Sequence, residues 1–284
     1  AYGNTAISGV RVSANTNIAR KGYGTVINNA TGGLYRTAIG GVIGRTVSET
    51  VNTLRDEIVY DGSITVNIAT SNPSDNNPTG NVGGVIGAMG EGTRFLSGSI
   101  VTVTGSIGCN LTGNYVRNFG GVVGATIEGA FDGTFTVSPK ISADNATNVG
   151  GFIGRNFGTA NILSSTNGTV IKIEANITGK SQVGGLVGLN GYTYADGVVA
   201  GSLLIGADTY LGGRYEGTVD IEISGNAHIK AFEDDAGGLI GSNTANGAGL
   251  GLIITKGSIY NKGTVVGLNN VGGIVGNNEG GITM

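Results

Sequence analysis

The sequence predicts an all-β protein, a β-solenoid (parallel β-helix) of about seven to eight coils. Three observations predict it: a glycine-rich heptad recurs along the chain, short stretches with period-two alternation lie between the heptads, and no stretch has the apolar period of a helix. Glycine occupies 56 of 284 positions. Each of these glycines would cost a helix about 1 kcal/mol, so their number also argues against helices.

The heptad occurs seven times, and its spacing gives the length of the repeat. The copies are AIGGVIG (38–44), NVGGVIG (81–87), NFGGVVG (118–124), NVGGFIG (148–154), QVGGLVG (182–188), DAGGLIG (235–241) and NVGGIVG (270–276). The paired glycines are Gly40 and Gly41, Gly83 and Gly84, Gly120 and Gly121, Gly150 and Gly151, Gly184 and Gly185, Gly237 and Gly238, and Gly272 and Gly273. Their spacing predicts a structural repeat of about 30–37 residues, each forming one coil of about three short strands.

The longest gap between heptads predicts an insertion. We expect residues 1–284 to form a single solenoid domain with an inserted loop or hairpin at about residues 189–215. Four tyrosines lie in this insertion: Tyr192, Tyr194, Tyr210 and Tyr215. Aromatic residues are common in protein interfaces, and an interface is our first interpretation of this cluster, with sugar binding as the alternative.

Strands are predicted where a glycine and a Ser or Thr precede alternating apolar residues. Examples are GSITVNI (62–68), GTFTV (133–137) and GTVDIEI (217–223). In the last of these, Val219, Ile221 and Ile223 share one face and Asp220 and Glu222 the other, which is typical of a half-buried strand. In GTVIKIE (168–174) the alternation is displaced by one residue, which predicts a bulge.

The heptad allows two interpretations. As an extended strand, residues 81–87 have no polar face, which is typical of strands buried on both sides. The second side must then meet an inserted loop, another part of the chain or a neighbouring molecule. Alternatively, the paired glycines form a corner that needs positive φ, and both interpretations can hold together.

The position before the first aliphatic residue of the heptad is usually an amide. It is Asn81, Asn118, Asn148, Asn270 or Gln182, and Asp235 in one copy. Stacked asparagines can form a hydrogen-bonded ladder, but asparagine also tolerates left-handed turns. Both roles are structural.

These residues resemble the GLUG motif, in which a GG-containing apolar heptad is followed by a hydrophilic stretch and a Gly-Thr strand. The resemblance extends from Ala38 to Gly276. GLUG repeats occur in large secreted and cell-surface bacterial proteins, including adhesins and the non-catalytic part of a family of immunoglobulin-cleaving metallopeptidases. The resemblance implies a repeat architecture and an extracellular, cell-surface location. The metallopeptidase activity is not implied, because the chain has no HExxH pair and His228 is its only histidine.

Candidate chemistry is sparse, and we predict neither catalysis nor a cofactor nor a metal. Cys109 is the only cysteine, so no intrachain disulfide can form. The acidic run 233–235 suggests a calcium site or, in our first interpretation, a solvated corner. A net charge of −3 gives no basic surface for nucleic acid. No apolar run is long enough to span a membrane.

The charge content favours assembly. Charged residues make up 12% of the chain, about half the usual share, and neither terminus carries an amphipathic cap. Either the chain is a fragment of a longer surface protein or its open ends pair with other copies. We therefore expect an extracellular structural protein that forms a homopolymeric filament, sheath or surface layer through its ends and its glycine-rich apolar faces. The alternatives are a stalk or binding module of a cell-surface adhesin that contacts carbohydrate, and a carbohydrate-active β-helix enzyme.

Overall fold

The protein is all-β in the computed structural model, which describes residues 4–13, 16–21, 38–47, 51–67, 80–109, 116–193, 199–210, 213–244 and 251–284. No helix occurs in these ranges. The strands form an 18-stranded sheet, an 11-stranded sheet and two small two-stranded sheets. The predicted β-solenoid is confirmed.

The first fifteen strands cover the N-terminal half of the stack. They are β1 (Thr5–Val12), β2 (Asn17–Lys21), β3 (Ala38–Gly40), β4 (Ile43–Arg45), β5 (Asn52–Tyr60), β6 (Ser63–Asn67), β7 (Asn81–Gly83), β8 (Ile86–Met89), β9 (Thr93–Phe95), β10 (Ile100–Val103), β11 (Ser106–Cys109), β12 (Val116–Gly120), β13 (Val123–Phe131), β14 (Thr134–Val137) and β15 (Lys140–Gly150).

The remaining eighteen strands complete it. They are β16 (Ile153–Leu163), β17 (Thr169–Ile173), β18 (Asn176–Gly184), β19 (Val187–Asn190), β20 (Tyr192–Thr193), β21 (Val199–Ala200), β22 (Ser202–Ala207), β23 (Thr209–Tyr210), β24 (Gly213–Arg214), β25 (Val219–Ile223), β26 (His228–Gly237), β27 (Ile240–Asn243), β28 (Gly251–Ile254), β29 (Ser258–Asn261), β30 (Thr264–Val266), β31 (Val271–Gly272), β32 (Val275–Asn278) and β33 (Ile282–Thr283).

Equivalent strands of successive coils pair in parallel and in register. β14 pairs with β17, which pairs with β25, and β15 pairs with β18, which pairs with β26. The coil between the fourth and fifth heptads consists of β16, β17 and β18. This agrees with the prediction of about three strands in a coil.

Each heptad spans the corner between the two large sheets. β7 ends at Gly83 in the 11-stranded sheet, two residues bend, and β8 begins at Ile86 in the 18-stranded sheet. The predicted corner is therefore present, but the predicted positive φ is wrong, because no glycine of a pair is among the described glycines with positive φ.

The core is one apolar cluster that runs along the inside of the stack. It contains a group of four phenylalanines, Phe95, Phe131, Phe135 and Phe152, whose contacting rings have centroids 4.9–6.3 Å apart. Val219, Ile221 and Ile223 point inward as their alternation predicts, because all three are fully buried while Asp220 is exposed. Alternation of this kind leaves one face of each strand for the core.

The predicted bulge in 168–174 is wrong. β17 pairs with both β14 and β25 in unbroken register. Thr169 takes the inward position that Val219 holds in the next coil, and Val170 is 40% exposed as a result. The displaced alternation therefore reflects a buried threonine at the start of the strand, where its hydroxyl lies 3.5 Å from the carboxylate of Asp132.

The insertion consists of two hairpins rather than one. β20 pairs with β21 and β23 pairs with β24, both antiparallel. Between the hairpins, β22 lies in the 18-stranded sheet, paired with β16 and β28. The predicted insertion at about 189–215 thus contains one regular solenoid strand.

Candidate assembly interface

The glycine side of the internal heptads is covered by the chain itself. A Cβ atom at Gly83 would lie 2.0 Å from the carbonyl oxygen of Ile86 and 2.7 Å from the backbone nitrogen of Gly124. A Cβ atom at Gly87 would lie 2.4 Å from the backbone nitrogen of Ile39. The backbones on the two sides of the corner therefore touch, and only glycine permits this approach.

The internal heptads repeat this arrangement. All seven residues of the copies at 81–87, 118–124, 148–154 and 235–241 are buried. Both sides of the heptad are thus covered, as its lack of a polar face predicts, but another part of the same chain provides the cover. These glycine faces offer no surface to a neighbouring molecule, which leaves the ends of the solenoid as its candidate interfaces.

The last heptad differs from the internal copies. A Cβ atom at Gly273 would meet nothing within 4 Å, whereas one at Gly238, the same position one coil earlier, would lie 2.0 Å from the carbonyl oxygen of Gly273. Ile274 is 41% exposed, whereas its equivalent Leu239 is fully buried. The face of the solenoid beyond β29–β33, here called the C-terminal face, is therefore open.

Exposed apolar side chains gather in this outermost level. They are Tyr260, Val266, Leu268, Val271, Ile274, Ile282 and Met284, with exposures from 41% to 90%. Elsewhere among the described residues, the exposed large apolar side chains do not form such a group; they are Val51, Ile100, Val170 and Phe232. A cluster of this kind is typical of an interaction surface.

The amides before the heptads form a hydrogen-bonded ladder, here called the Asn118 ladder. Nδ2 of Asn118 donates to Oδ1 of Asn81, and Nδ2 of Asn148 donates to Oδ1 of Asn118, both at 2.7 Å. Further along, Nδ2 of Asn270 donates to Oδ1 of Asp235 at 2.8 Å. Asn118, Asn148, Gln182 and Asp235 also have positive φ. Both predicted roles of this position therefore hold together.

A second ladder, here called the Asn190 ladder, follows each of the later corners and was not predicted. Nδ2 of Asn156 donates to Asn190, Nδ2 of Asn190 to Asn243, and Nδ2 of Asn243 to Asn278, at 2.7–2.9 Å. Each of these asparagines lies five residues after the second glycine of its heptad. Extending the heptad by two positions, so that its copies end in IGRN, VGLN, IGSN and VGNN, reveals it.

Of the four tyrosines of the insertion, Tyr210 and Tyr215 have side chains that the structure describes. Tyr210 is 7% exposed and belongs to a small cluster with Ala130, Leu163 and Ala207, against which Tyr215 packs. Among the described residues its hydroxyl has no hydrogen-bond partner, and burial together with the negative charge of Glu128 raises the pKa of Tyr210 to about 12. This cluster attaches the second hairpin to the outside of the solenoid, so Tyr210 is not available to a partner. The side chains of Tyr192 and Tyr194 lie outside the described residues.

A shallow cleft on the 11-stranded sheet contains the densest polar group. It is lined by Asp144, Asn145, Lys180, Phe232 and Glu233. Nζ of Lys180 lies 3.4 Å from Oε1 of Glu233, and Asp144 accepts a hydrogen bond from Thr178. The two carboxylates therefore already have partners, while the ring of Phe232 is 37% exposed.

The other polar residues singled out by the sequence do not come together. In the acidic run, Glu233 pairs with Lys180, Asp234 accepts from Asn269, and Asp235 is buried in the Asn118 ladder. Burial raises the pKa of Asp235, and the nearby charge of Asp234 adds to this effect. Cys109 is buried. Within the described ranges, no helix is long and apolar enough to cross a membrane.

Comparison of the chain with protein-family models, with curated proteins and with solved structures gave no match. The resemblance to GLUG repeats therefore depends on the heptads and the strands that follow them.

Proposed function

We propose that this protein is an extracellular structural protein that assembles into a filament, sheath or surface layer through the ends of its solenoid. The observation that carries the proposal is the C-terminal face, where seven apolar side chains are at least 41% exposed. A further coil stacked on this face would bury Val271 and Ile274, because their equivalents one coil earlier, Ala236 and Leu239, are fully buried. Burial of apolar surface contributes about 25 cal/mol per Å².

The ends also present unpaired strand edges. Natural proteins usually protect such edges with charges, prolines or a covering element, because free edges pair with other chains. At the free edges of β31 and β32, Val271 and Val275 are apolar. The low charge content of the chain gives little repulsion between copies. These features favour pairing of one end with another molecule.

The extracellular part of the proposal is supported by the resemblance to GLUG repeats of secreted and surface proteins. A repeat solenoid with a low charge content is suited to a mechanical or covering role, because each coil needs contact only with its neighbours.

Analytical ultracentrifugation and negative-stain electron microscopy of the 284-residue chain test the assembly. We expect sedimentation to shift to larger species as concentration rises, with fibrous or layered particles on the grid. Val170→Asp, on the side of the solenoid, is the matched control and should assemble like the unchanged chain. A chain that remains a 28.3 kDa monomer at every concentration would overturn the proposal.

A second candidate function, as a binding module of an adhesin, is favoured by the cleft around Phe232. A half-exposed aromatic ring beside carboxylates and an amide can stack on a sugar ring and accept its hydroxyl hydrogens. Calorimetric titration with neutral and acidic oligosaccharides tests it. We expect binding to be lost in Phe232→Ala and kept in Tyr260→Ala, and no heat with any oligosaccharide would exclude this candidate.

A further inference from the structure

The corners of the solenoid are joined by a hydrogen bond that always points the same way. The backbone nitrogens of Val85 and Ile86 both donate to the carbonyl oxygen of Val122, at 3.0 and 2.9 Å. The same pair of bonds joins each corner to the next one, with the donor always in the earlier coil. The acceptors are the carbonyl oxygens of Val85, Val122, Phe152, Leu186, Leu239 and Ile274, at 2.8–3.1 Å.

This direction makes the two outermost corners different. At the C-terminal face, the backbone N–H of Ile274 has no partner among the described residues and points out of the stack, as its equivalents point toward the next coil. At the opposite face, formed by β1–β4 and here called the N-terminal face, the carbonyl of Val42 lacks a donor in the described part of the chain. The C-terminal face thus presents backbone N–H donors at its corner, and the N-terminal face presents a carbonyl acceptor at the equivalent corner.

The apolar positions of the two faces also correspond. Four columns of aligned side chains run through the whole stack in unbroken pairing. They begin at Val10, Ile18, Ile39 and Ile43 and end at Ile259, Val265, Val271 and Val275. A second copy placed on the C-terminal face by translation along the axis would continue these four columns with apolar residues. Its β1 residues Thr5 and Ala6 would take the place of Ile282 and Thr283, which form an eighth level in their own columns, so β33 must leave the stack when the copy docks.

A side-chain pair on the outer surface supports the same placement. Arg11 and Tyr260 occupy one register column, at its first and last level. In a translated copy the Arg11 guanidinium would lie beside the Tyr260 ring, which is 55% exposed. A guanidinium near an aromatic face is an attractive contact.

We propose that the partner of the C-terminal face is the N-terminal face of a second copy, so that the chains stack head to tail with all strands parallel. Joining two C-terminal faces would instead place the corner N–H groups opposite each other, and unpaired buried N–H groups are costly. This inference rests on the proposed assembly and adds to it a direction and a register.

Two matched variants in one corner column test the direction. Val42→Asp blocks the N-terminal face and Ile274→Asp blocks the C-terminal face, since both positions are partly open now and would be buried in a stack. Head-to-tail stacking predicts that each variant alone stays monomeric. An equimolar mixture should form dimers of twice the 28.3 kDa mass and nothing larger, because each molecule keeps one free face.

The other outcomes separate the two proposals. If the unchanged chain does not assemble, the proposed function fails and the inference with it. If the unchanged chain assembles but either variant dimerises alone, only the head-to-tail direction is wrong. If both variants still form large polymers, the ends are not the interface. Circular dichroism checks folding, and Val10→Asp with Ile259→Asp replaces the pair if either corner variant is unfolded.

Discussion

Asn148 donates a hydrogen bond of 2.7 Å from Nδ2 to Oδ1 of Asn118, one coil earlier, while both residues hold positive φ, at 58° and 64°. One residue type thus meets two demands at once. Its side chain links neighbouring coils inside the protein, and its backbone takes a conformation that most residues avoid. Asparagine is the residue that does both at the lowest cost.

Asn118→Ala should destabilise the protein strongly. It removes two buried side-chain hydrogen bonds, those that join Asn118 to Asn81 and to Asn148, and places alanine at positive φ. We expect a loss of about 3 kcal/mol in the free energy of unfolding. Asn118→Gly removes the same amide but accepts the backbone conformation, so its loss should be about 1 kcal/mol smaller. Urea denaturation measures both, and equal losses would show that the backbone contributes nothing here.

Asp235→Asn should stabilise the protein at neutral pH. Burial first, and then the charge of Asp234, raise the pKa of Asp235 in the folded protein, so its ionised form opposes folding. A raised pKa gives a contribution that is complete below the unfolded pKa of about 3.9 and is lost as pH rises through the folded pKa. Asparagine keeps an oxygen to accept from Asn270 and carries no charge. The gain in melting temperature should be present at pH 7 and absent at pH 3, and a gain of equal size at both would contradict this explanation.

Gly121→Ala and Gly273→Ala occupy the same heptad position and should differ widely. A Cβ atom at Gly121 would lie 2.0 Å from the carbonyl oxygen of Gly151, whereas one at Gly273 meets nothing within 4 Å. We expect the first change to cost more than about 4 kcal/mol or prevent folding, and the second to stay within about 0.5 kcal/mol of the unchanged chain. Thermal denaturation compares them, and similar melting temperatures would show that the corner can relax.

Gly273→Ala should nevertheless impair assembly. In a head-to-tail stack its Cβ atom would meet the carbonyl oxygen of Gly41 in the next copy, as a Cβ atom at Gly238 would meet that of Gly273 at 2.0 Å. We expect a normally folded monomer whose assembly needs at least tenfold higher concentration, about 1.4 kcal/mol of lost association energy. Light scattering over a concentration series measures this, and an unchanged threshold would argue against close corner contact between copies.

Tyr210→Phe should change stability only at high pH. Burial and the charge of Glu128 raise the pKa of Tyr210 to about 12, above the ordinary value of about 10. The stabilisation from keeping the phenol neutral is therefore complete below pH 10 and is lost as pH rises from 10 toward 12. Because the hydroxyl has no hydrogen-bond partner in the part of the chain that the structure describes, phenylalanine should be nearly neutral at pH 7 and should slow alkaline unfolding. A large loss of stability at pH 7 would reveal a partner for the hydroxyl.

The heptads carried most of the information about the fold. Paired glycines with aliphatic residues on both sides predict a crowded corner, because no other residue lets two backbones touch, and the regular spacing predicts the coils. The same glycines could not indicate what covers their bare side, since contact with the next coil and contact with another molecule need the same small residues. The structure shows that the next coil provides it, with Gly124 against Gly83.

Local patterns misled where a neighbouring coil decides the outcome. The alternation displaced by one residue in 168–174 predicts a bulge, yet the strand is regular and Thr169 is buried beside Asp132. In the insertion, β22 lies between two hairpins, and its pairing with β16 and β28 makes it part of the solenoid. The Asn190 ladder was not predicted because a single asparagine in a strand does not indicate a ladder. Only the alignment of four coils shows that asparagine recurs at this position.

The axial direction of the hydrogen bonds between coils has a mechanical consequence. A force along the axis acts along these hydrogen bonds. The bonds of one coil should break before those of the next, so the protein should unfold coil by coil from an end and not in a single step. Each unfolded coil would lengthen the protein by the chain between equivalent ladder residues. This is 30 residues between Asn118 and Asn148 and 53 between Asn190 and Asn243. At up to about 3.5 Å per residue these steps reach roughly 100 to 190 Å. A fibre made of such units would lengthen in uneven increments and absorb work before it fails.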